Sequence, residues 1–425
     1  MTRGDLKTEV RADNSSALRR VGDRSYNRPR TVYIRFSKES NRYTVQAWGS
    51  AFPQDGGGGY QGRPSATQTD VEASIRNLRE EWQQNVIGHK EKRDGKLRHP
   101  FADRWDLSGP ADHDRLDQVG PGLARKGASL FRLLFQGGDP GLQEIGEHLV
   151  YALRRGDQVI TMESDDLFAP WPMLYVPPDN PSELYGASRS WSMSGFLGYR
   201  HLVEHSLSRA QGFDSRIMIP PGRAVIGLHV DEGVDKDPPP TPFIEPLIKF
   251  LDGKAVTTIR RSRDDLAVAL LDQQFGEHIM FFGCHGVVGS GEPGGSFLML
   301  GDGEKIYATE ILSWLSAGSL RSKPVVFISA CQGGQMTSQF FSGFGHYFLR
   351  KGARCLVGPQ VDLPRAFALE YATRLFSKFL QPENRLGDVM LKLTRQFADE
   401  YRNPLGLMIS LYRGIDVHLW EEELP

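Results

Sequence analysis

The hydrophobic positions follow two textures, and the change between them falls near residue 223. Residues 31–52 are rich in β-formers, with Thr31, Val32, Tyr33, Ile34 and Phe36, then Tyr43, Val45, Ala47 and Trp48. The polar residues between these runs predict a hairpin turn. Val71, Ile75, Leu78, Trp82 and Val86 recur at three-to-four spacing and predict a helix over 69–87. Residues 88–122 are charged and punctuated by Gly and Pro, which reads as a long exposed connection. Helices are predicted over 121–135 and 141–154, and a strand over 159–163 that Ala169-Pro170-Trp171-Pro172 terminates. The Pro/Ser/Gly-rich stretch 177–195 is a lobe boundary or a covering loop.

Beyond residue 223 short apolar runs alternate with amphipathic ones. Strands are predicted at 224–230, 256–259, 278–284, 325–330 and 353–357. Helices fall near 244–251, 264–274, 308–316, 340–351, 364–380 and 386–401. Near-continuous apolar strands separated by helices are what a parallel sheet covered on both faces requires. The fold class is therefore α/β, a doubly wound, mostly parallel sheet flanked by helices, with an α+β region before it. The expected organisation is a disordered tail over 1–30, an N-terminal α+β region over 31–222 packing on the rest, and the sheet domain over 223–425.

Composition narrows the function. The chain has 425 residues, 39% hydrophobic and 24% charged, with a formal net charge of -1. That balance gives no global basic field for nucleic acid or an acidic membrane. No apolar run reaches the length of about 18 residues that a membrane helix needs. Residues 1–30 are polar and lack the apolar core of a secretory signal. The three cysteines, Cys284, Cys331 and Cys355, form no C-x-x-C pair. An odd, low count suits a reducing compartment, so a cytoplasmic location is expected, with no thiolate metal site and no cofactor. The glycine run Gly56–Gly59 has no Lys-Ser/Thr after it and reads as a loop.

In such sheets ligands bind outside the carboxyl ends of the strands. The predicted strand ends carry His229-Val230-Asp231, Cys284-His285-Gly286, Ser329-Ala330-Cys331-Gln332-Gly333-Gly334 and Gly358-Pro359, with Asp362 just beyond. If the third and fourth strands are neighbours, His285 and Cys331 emerge side by side. A thiol is mostly protonated near neutral pH, with an ordinary pKa of about 8.5. An adjacent imidazole can take its proton and yield a nucleophilic thiolate. The N–H groups of Gly286 and Cys331 are the natural donors for a developing oxyanion. Ser-Ala-Cys-Gln-Gly stands close to the Gln-Ala-Cys-[Arg/Gln/Gly]-Gly caspase signature, departing at Ser329. His285 lies 46 residues upstream, against the about 50 of that pattern.

On these residues the sequence resembles the CHAT family, caspase-like domains of the clan that also holds caspases, separases, gingipains and legumain. The motifs that carry the likeness are Phe281-Phe-Gly-Cys-His-Gly286, Phe327-Ile-Ser-Ala-Cys-Gln-Gly-Gly334, Phe348-Leu-Arg-Lys-Gly-Ala353 with Leu356-Val-Gly358, and Ile409-Ser-Leu-Tyr-Arg-Gly414. The segment Val159–Glu163 with Pro170-Trp171 also fits. The resemblance implies a His285–Cys331 dyad and a metal-independent cysteine endopeptidase acting on a protein substrate. It also implies regulated proteolysis, often in prokaryotic defence or cell death. Family members often carry a Trp shortly after the fifth strand. Here Pro359-Gln360-Val361 stands there, which alters the specificity pocket. Relatives that cut after basic residues place carboxylates near that pocket, and Asp231 and Asp362 are the candidates. Against these stand a strand-end turn for Asp231 and a helix N-cap for Asp362, ahead of Leu363-Pro364. Control by an activating partner, a ligand or self-cleavage is expected from the large N-terminal region.

Two other readings compete. A catalytically silent caspase-like module could bind a partner. His201-Leu-Val-Glu-His205 also matches the His-x-x-Glu-His zinc peptidase pattern, which requires a helix under both histidines; the flanking Phe196, Leu197, Tyr199, Leu202 and Val203 equally suit a strand. Cys284, Cys355, His229 and His346 are expected to be structural.

Overall fold

A computed structural model describes residues 28–421 apart from 54–58, 94, 187–189, 208–213, 223, 238–240, 288–294, 316–319, 330–340 and 383. The expected tail over 1–30 therefore lies almost wholly outside the described residues. So do most of the glycine run and Cys331 with its flanking motif.

The strands in chain order are β1 (Val32–Glu39), β2 (Arg42–Trp48), β3 (Tyr60–Gly62), β4 (Glu91–Arg93), β5 (Lys96–Arg98), β6 (Val159–Glu163), β7 (Leu202–Ser206), β8 (Arg216–Ile219) and β9 (Val225–Val230). They continue with β10 (Val256–Arg260), β11 (Ile279–Gly283), β12 (His285–Val287), β13 (Phe297–Met299), β14 (Lys305–Tyr307), β15 (Val325–Ile328), β16 (Cys355–Pro359), β17 (Ile409–Tyr412) and β18 (His418–Glu421). Eleven of them form one mixed sheet in the order β10-β9-β11-β15-β16-β17-β7-β6-β1-β2-β3. Pairing is parallel from β10 to β16 and from β17 to β1, and antiparallel at β16–β17 and at the β1–β2–β3 edge. The α/β sheet flanked by helices is thus present, and it runs without a break across residue 223. The strands of 31–222 extend the same sheet.

Alternation explains why these strands are apolar along their whole length. Successive side chains point to opposite faces. Ile279, Phe281, Val325, Phe327 and Val357 join one hydrophobic cluster, and Met280, Phe282, Val326, Ile328 and Leu356 join another on the opposite face. Leu375, Phe376, Leu393 and Phe397, from the helices Arg365–Phe379 and Leu386–Asp399, cover the first face. Leu266, Ile311 and Phe348 cover the second. Each fully buried large side chain stabilises the fold by about 1.5–3 kcal/mol before ordering costs. Gly227, in mid-strand, leaves room for the buried Glu277 side chain. A Cβ there would stand 1.8 Å from the Glu277 carboxylate.

The helix Gln68–Trp82 opens on a capping box of Thr67 and Asp70, and buries Val71, Ile75, Leu78 and Trp82. From the same helix Arg79 reaches the far half of the chain. Its Nη2 donates to the Phe168 carbonyl (3.1 Å) and to Gln360 Oε1 (2.7 Å), and Gln360 Nε2 donates to the Tyr412 hydroxyl (2.8 Å). Burial pushes the Arg79 guanidinium down to about 10.

Residues 88–122 depart from the expected open connection. They form the hairpin β4–β5, a helical turn Pro100–Asp103, and the start of the helix Arg115–Phe135. The helix expected from 121 begins six residues earlier, at Arg115, so Gly120-Pro121-Gly122 lies inside it. The Gly120 backbone packs so closely on the Trp191 ring that a Cβ would fall 2.1 Å from it. Close packing there outweighs helix propensity.

Candidate active site

The site is built where β9, β11 and β15 end. β11 pairs with β9 and with β15, both in parallel, with Phe282 opposite His229 and Ile328. The third and fourth strands of the sequence reading are therefore neighbours. The Ser329 N–H donates to the Phe282 carbonyl (2.8 Å), which holds the β15 end beside the β11 end two residues before Cys331. Cys331 itself lies outside the described residues.

After β11 the chain leaves the sheet at Cys284 and enters β12, which pairs with β13 in a small three-stranded sheet, His285 opposite Met299. Cys284 turns into the core beside Phe282, while His285 keeps 9% exposure at the strand ends. His285 Nε2 lies 3.2 Å from Asp231 Oδ2 and 3.7 Å from Asp237 Oδ2. Its Nδ1 is buried and has no hydrogen-bond partner among the described residues. A carboxylate on Nε2 places the ring proton there and leaves the lone pair on Nδ1.

The two carboxylates are held by local chain geometry. The Asp231 N–H donates to the Gly283 carbonyl (2.9 Å), and Asp231 Oδ1 accepts from the Gly233 N–H (2.7 Å). Oδ2 is thereby turned toward His285. Asp235 accepts from the N–H groups of Phe243, Ile244 and Glu245, capping the helix Ile244–Asp252. Arg365 donates to the carbonyls of Val234 and Asp237, which ties this segment to the helix Arg365–Phe379.

The remaining candidates are placed as follows. Gly286 is buried in β12 opposite Leu298. Asp231 makes the strand-end turn and also meets His285. Asp362 follows β16 and is half-buried. The helix after it begins at Arg365 with Pro364 as N-cap, so Asp362 is not the cap. Gln360 is fully buried and engaged with Arg79 and Tyr412. Asp237 was not singled out in the sequence. Its signal is its place six residues past Asp231, just before Pro238–Pro240.

The zinc reading fails on geometry. His205 and Glu204 lie on β7 with His201 just before it, so no helical turn brings the histidines together. His201 Nδ1 accepts from the Gln158 N–H (3.0 Å), and His205 sits between Trp171 Nε1 (3.0 Å) and the Ser164 carbonyl (2.9 Å). Glu204 accepts from Arg30, Thr161 and the Ile415 N–H. Burial pushes His201 down to about 3 and His205 down to about 4, so both are neutral core groups. Among the described residues no group of three His, Cys, Asp or Glu could hold a metal. No described helix is long and apolar enough to cross a membrane. Cys284 and Cys355 are both buried. His229 contacts Glu277 (3.4 Å), and Glu277 also meets Arg260.

Residues 244–396 match the family model of the CHAT domain. The chain is 27% identical over 245 residues to a "Probable protease" of Vitiosangium sp., covering 53% of this chain and 30% of that protein. Two crystal structures of the Saccharomyces cerevisiae separase–securin complex, at 3.0 and 2.6 Å, are similar with TM-scores of 0.46 and 0.45. Identity is 12% and 10%, over 90% and 92% of this chain and 30% of the matched chain in each case. The chain thus spans 30% of the length of each of these proteins.

Proposed function

We propose that the chain is a cysteine endopeptidase in which His285 activates Cys331. The observation that carries this reading is the imidazole at the strand ends, with Nε2 beside Asp231 and a buried Nδ1 that has no hydrogen-bond partner among the described residues. The CHAT match and the protease-named relative support it. In this mechanism Nδ1 takes the Cys331 thiol proton and the thiolate attacks the scissile carbonyl. Asp231, with Asp237 behind it, keeps the ring in the required tautomer and compensates the charge the ring gains. The N–H groups of Gly286 and Cys331 stabilise the oxyanion, and imidazolium Nδ1–H then protonates the leaving amine. Water hydrolyses the acyl-enzyme, with His285 again as base.

The substrate is a protein. Asp362 is the carboxylate for contact with a substrate side chain, and Asp231 combines such contact with its hold on His285. A partner or ligand activates the enzyme, and its setting is regulated proteolysis in the cytoplasm, in prokaryotic defence or cell death. The odd, low cysteine count suits a reducing compartment. The test is covalent trapping with a panel of peptidyl chloromethyl ketones. Modification mapped to Cys331, and absent in His285→Ala, is the expected result. Labelling that ignores His285→Ala refutes the assignment of the base.

A further inference from the structure

The carboxyl ends of β15 and β16 open onto a narrow cleft. Ser329, Gly358 and Pro359 form its mouth, and it runs down between the sheet and the helix Arg365–Phe379. Phe327 and Val357 line it from the sheet, and Ala368, Tyr371, Ala372 and Leu375 line it from the helix. These four recur at three-to-four spacing, so they share one face of the helix. No charged side chain is among the described residues that line the cleft. Its free volume is about 40 Å³. At about 10–15 Å³ for each water-sized group, about three such groups fit.

Ser329, at the mouth, stands two residues before Cys331, at most about 7 Å along the chain. Strand order decides which half of a substrate meets the cleft. β11 and β9, which lead into His285 and Asp231, lie on one side of β15, and β16 lies on the other. The leaving amine takes its proton from His285 and so lies on the β11 side. The acyl half then extends toward β16, over the mouth. We infer that this cleft receives the side chain of the residue on the acyl side of the scissile bond, and that this side chain is aliphatic, of Leu or Met size. The inference rests on Cys331 being the nucleophile, as proposed above. An ionised side chain would lose its hydration there with no charge to meet it. An aromatic ring exceeds the room, and Ala leaves it empty. Asp362 is not among the walls, so its carboxylate meets a different side chain of the substrate.

The probe is a set of chloromethyl ketones on one tripeptide frame that differ only in the last residue: Leu, Met, Ala, Phe, Lys or Asp. Labelling of Cys331 in the full chain is followed by mass spectrometry. The Leu and Met reagents should label about tenfold or more faster than the Ala reagent, and should also outpace the Phe, Lys and Asp reagents. Ala372→Leu fills the cleft and should lower the Leu-to-Ala rate ratio by about tenfold. Leu375→Ala widens it and should raise the Phe-to-Leu ratio by about tenfold. A ratio within one variant does not depend on how much of that variant is folded. Iodoacetamide has no side chain to seat, so the dependence of its reaction with Cys331 on His285 reads the dyad alone. If that dependence holds but the Ala, Phe, Lys or Asp reagent is fastest, or both variants keep the parent's ratios, the subsite is overturned while the dyad stands. If iodoacetamide labelling ignores His285→Ala, the dyad fails and the subsite falls with it.

Discussion

Asp231→Asn changes one oxygen to an amide and leaves shape intact, which makes it the sharpest probe of the site. In the parent, Oδ1 holds the Gly233 N–H at 2.7 Å and Oδ2 faces His285 Nε2 at 3.2 Å. In the variant the amide oxygen retains Gly233, so the NH2 group faces Nε2. The ring then keeps its proton on Nδ1, the nitrogen that must accept the thiol proton. A comparable swap in a Ser-His-Asp triad lowers turnover by about 10⁴. Asp237, 3.7 Å from the same nitrogen, still favours the productive tautomer. A loss of about 10²–10³, or about 3–4 kcal/mol of activation free energy, is therefore expected. Asp231→Asn/Asp237→Asn should lose more. The assay needs no substrate: iodoacetamide alkylation of Cys331, followed by peptide mass spectrometry across pH. The parent thiol reacts near neutrality, whereas the variant's rate rises only toward the ordinary thiol pKa of about 8.5. Cys284 and Cys355 are buried internal controls, and burial pushes the Cys355 thiol up to about 12. An unchanged rate and pH profile in the double variant would refute the orienting role of these carboxylates.

Arg79→Met removes the buried donor shared by Gln360 and the Phe168 carbonyl. It should cost about 3 kcal/mol in urea unfolding, and a parent-like midpoint would show that this network contributes nothing net. Acid sensitivity follows from His201 and His205, whose native values of about 3 and about 4 lie below the unfolded 6.5. Above pH 6.5 neither state is protonated; as pH falls toward 4 the unfolded chain binds protons that the native core refuses. His205 alone should remove about 3 kcal/mol of stability by pH 4, and His205→Gln should flatten the loss measured by urea melts. An equally steep decline in that variant would contradict the assignment.

Much of this architecture was legible because burial on both faces leaves a local record. The apolar runs at 225–230, 279–283, 325–328 and 355–359 mark central parallel strands, and the residues ending them mark the site edge. His285 and Asp231 were both singled out in this way, but their contact was not. It depends on β9 and β11 being neighbours, and strand order is a tertiary fact. Asp237 escaped notice because a Pro run after an acidic turn looks like any linker. His201-x-x-Glu204-His205 misleads in the other direction. The motif supposes a helix, whereas parallel pairing with β6 makes it a strand whose polar groups serve buried neighbours. The helix start was expected at 121 rather than Arg115 because the contact of the Gly120 backbone with the Trp191 ring is invisible locally. The continuity of the sheet from β17 through β7 to β1 was equally hidden, since β17 and β7 share only one register pair, Tyr412 with His205.

The most direct test is cleavage of a proteome-derived peptide library by the purified chain, with and without a chelator, beside Cys331→Ala and His285→Ala. The account predicts cuts after one class of residue, indifferent to chelation and absent from both variants. Cleavage retained in Cys331→Ala, or lost on chelation in the parent, would contradict it.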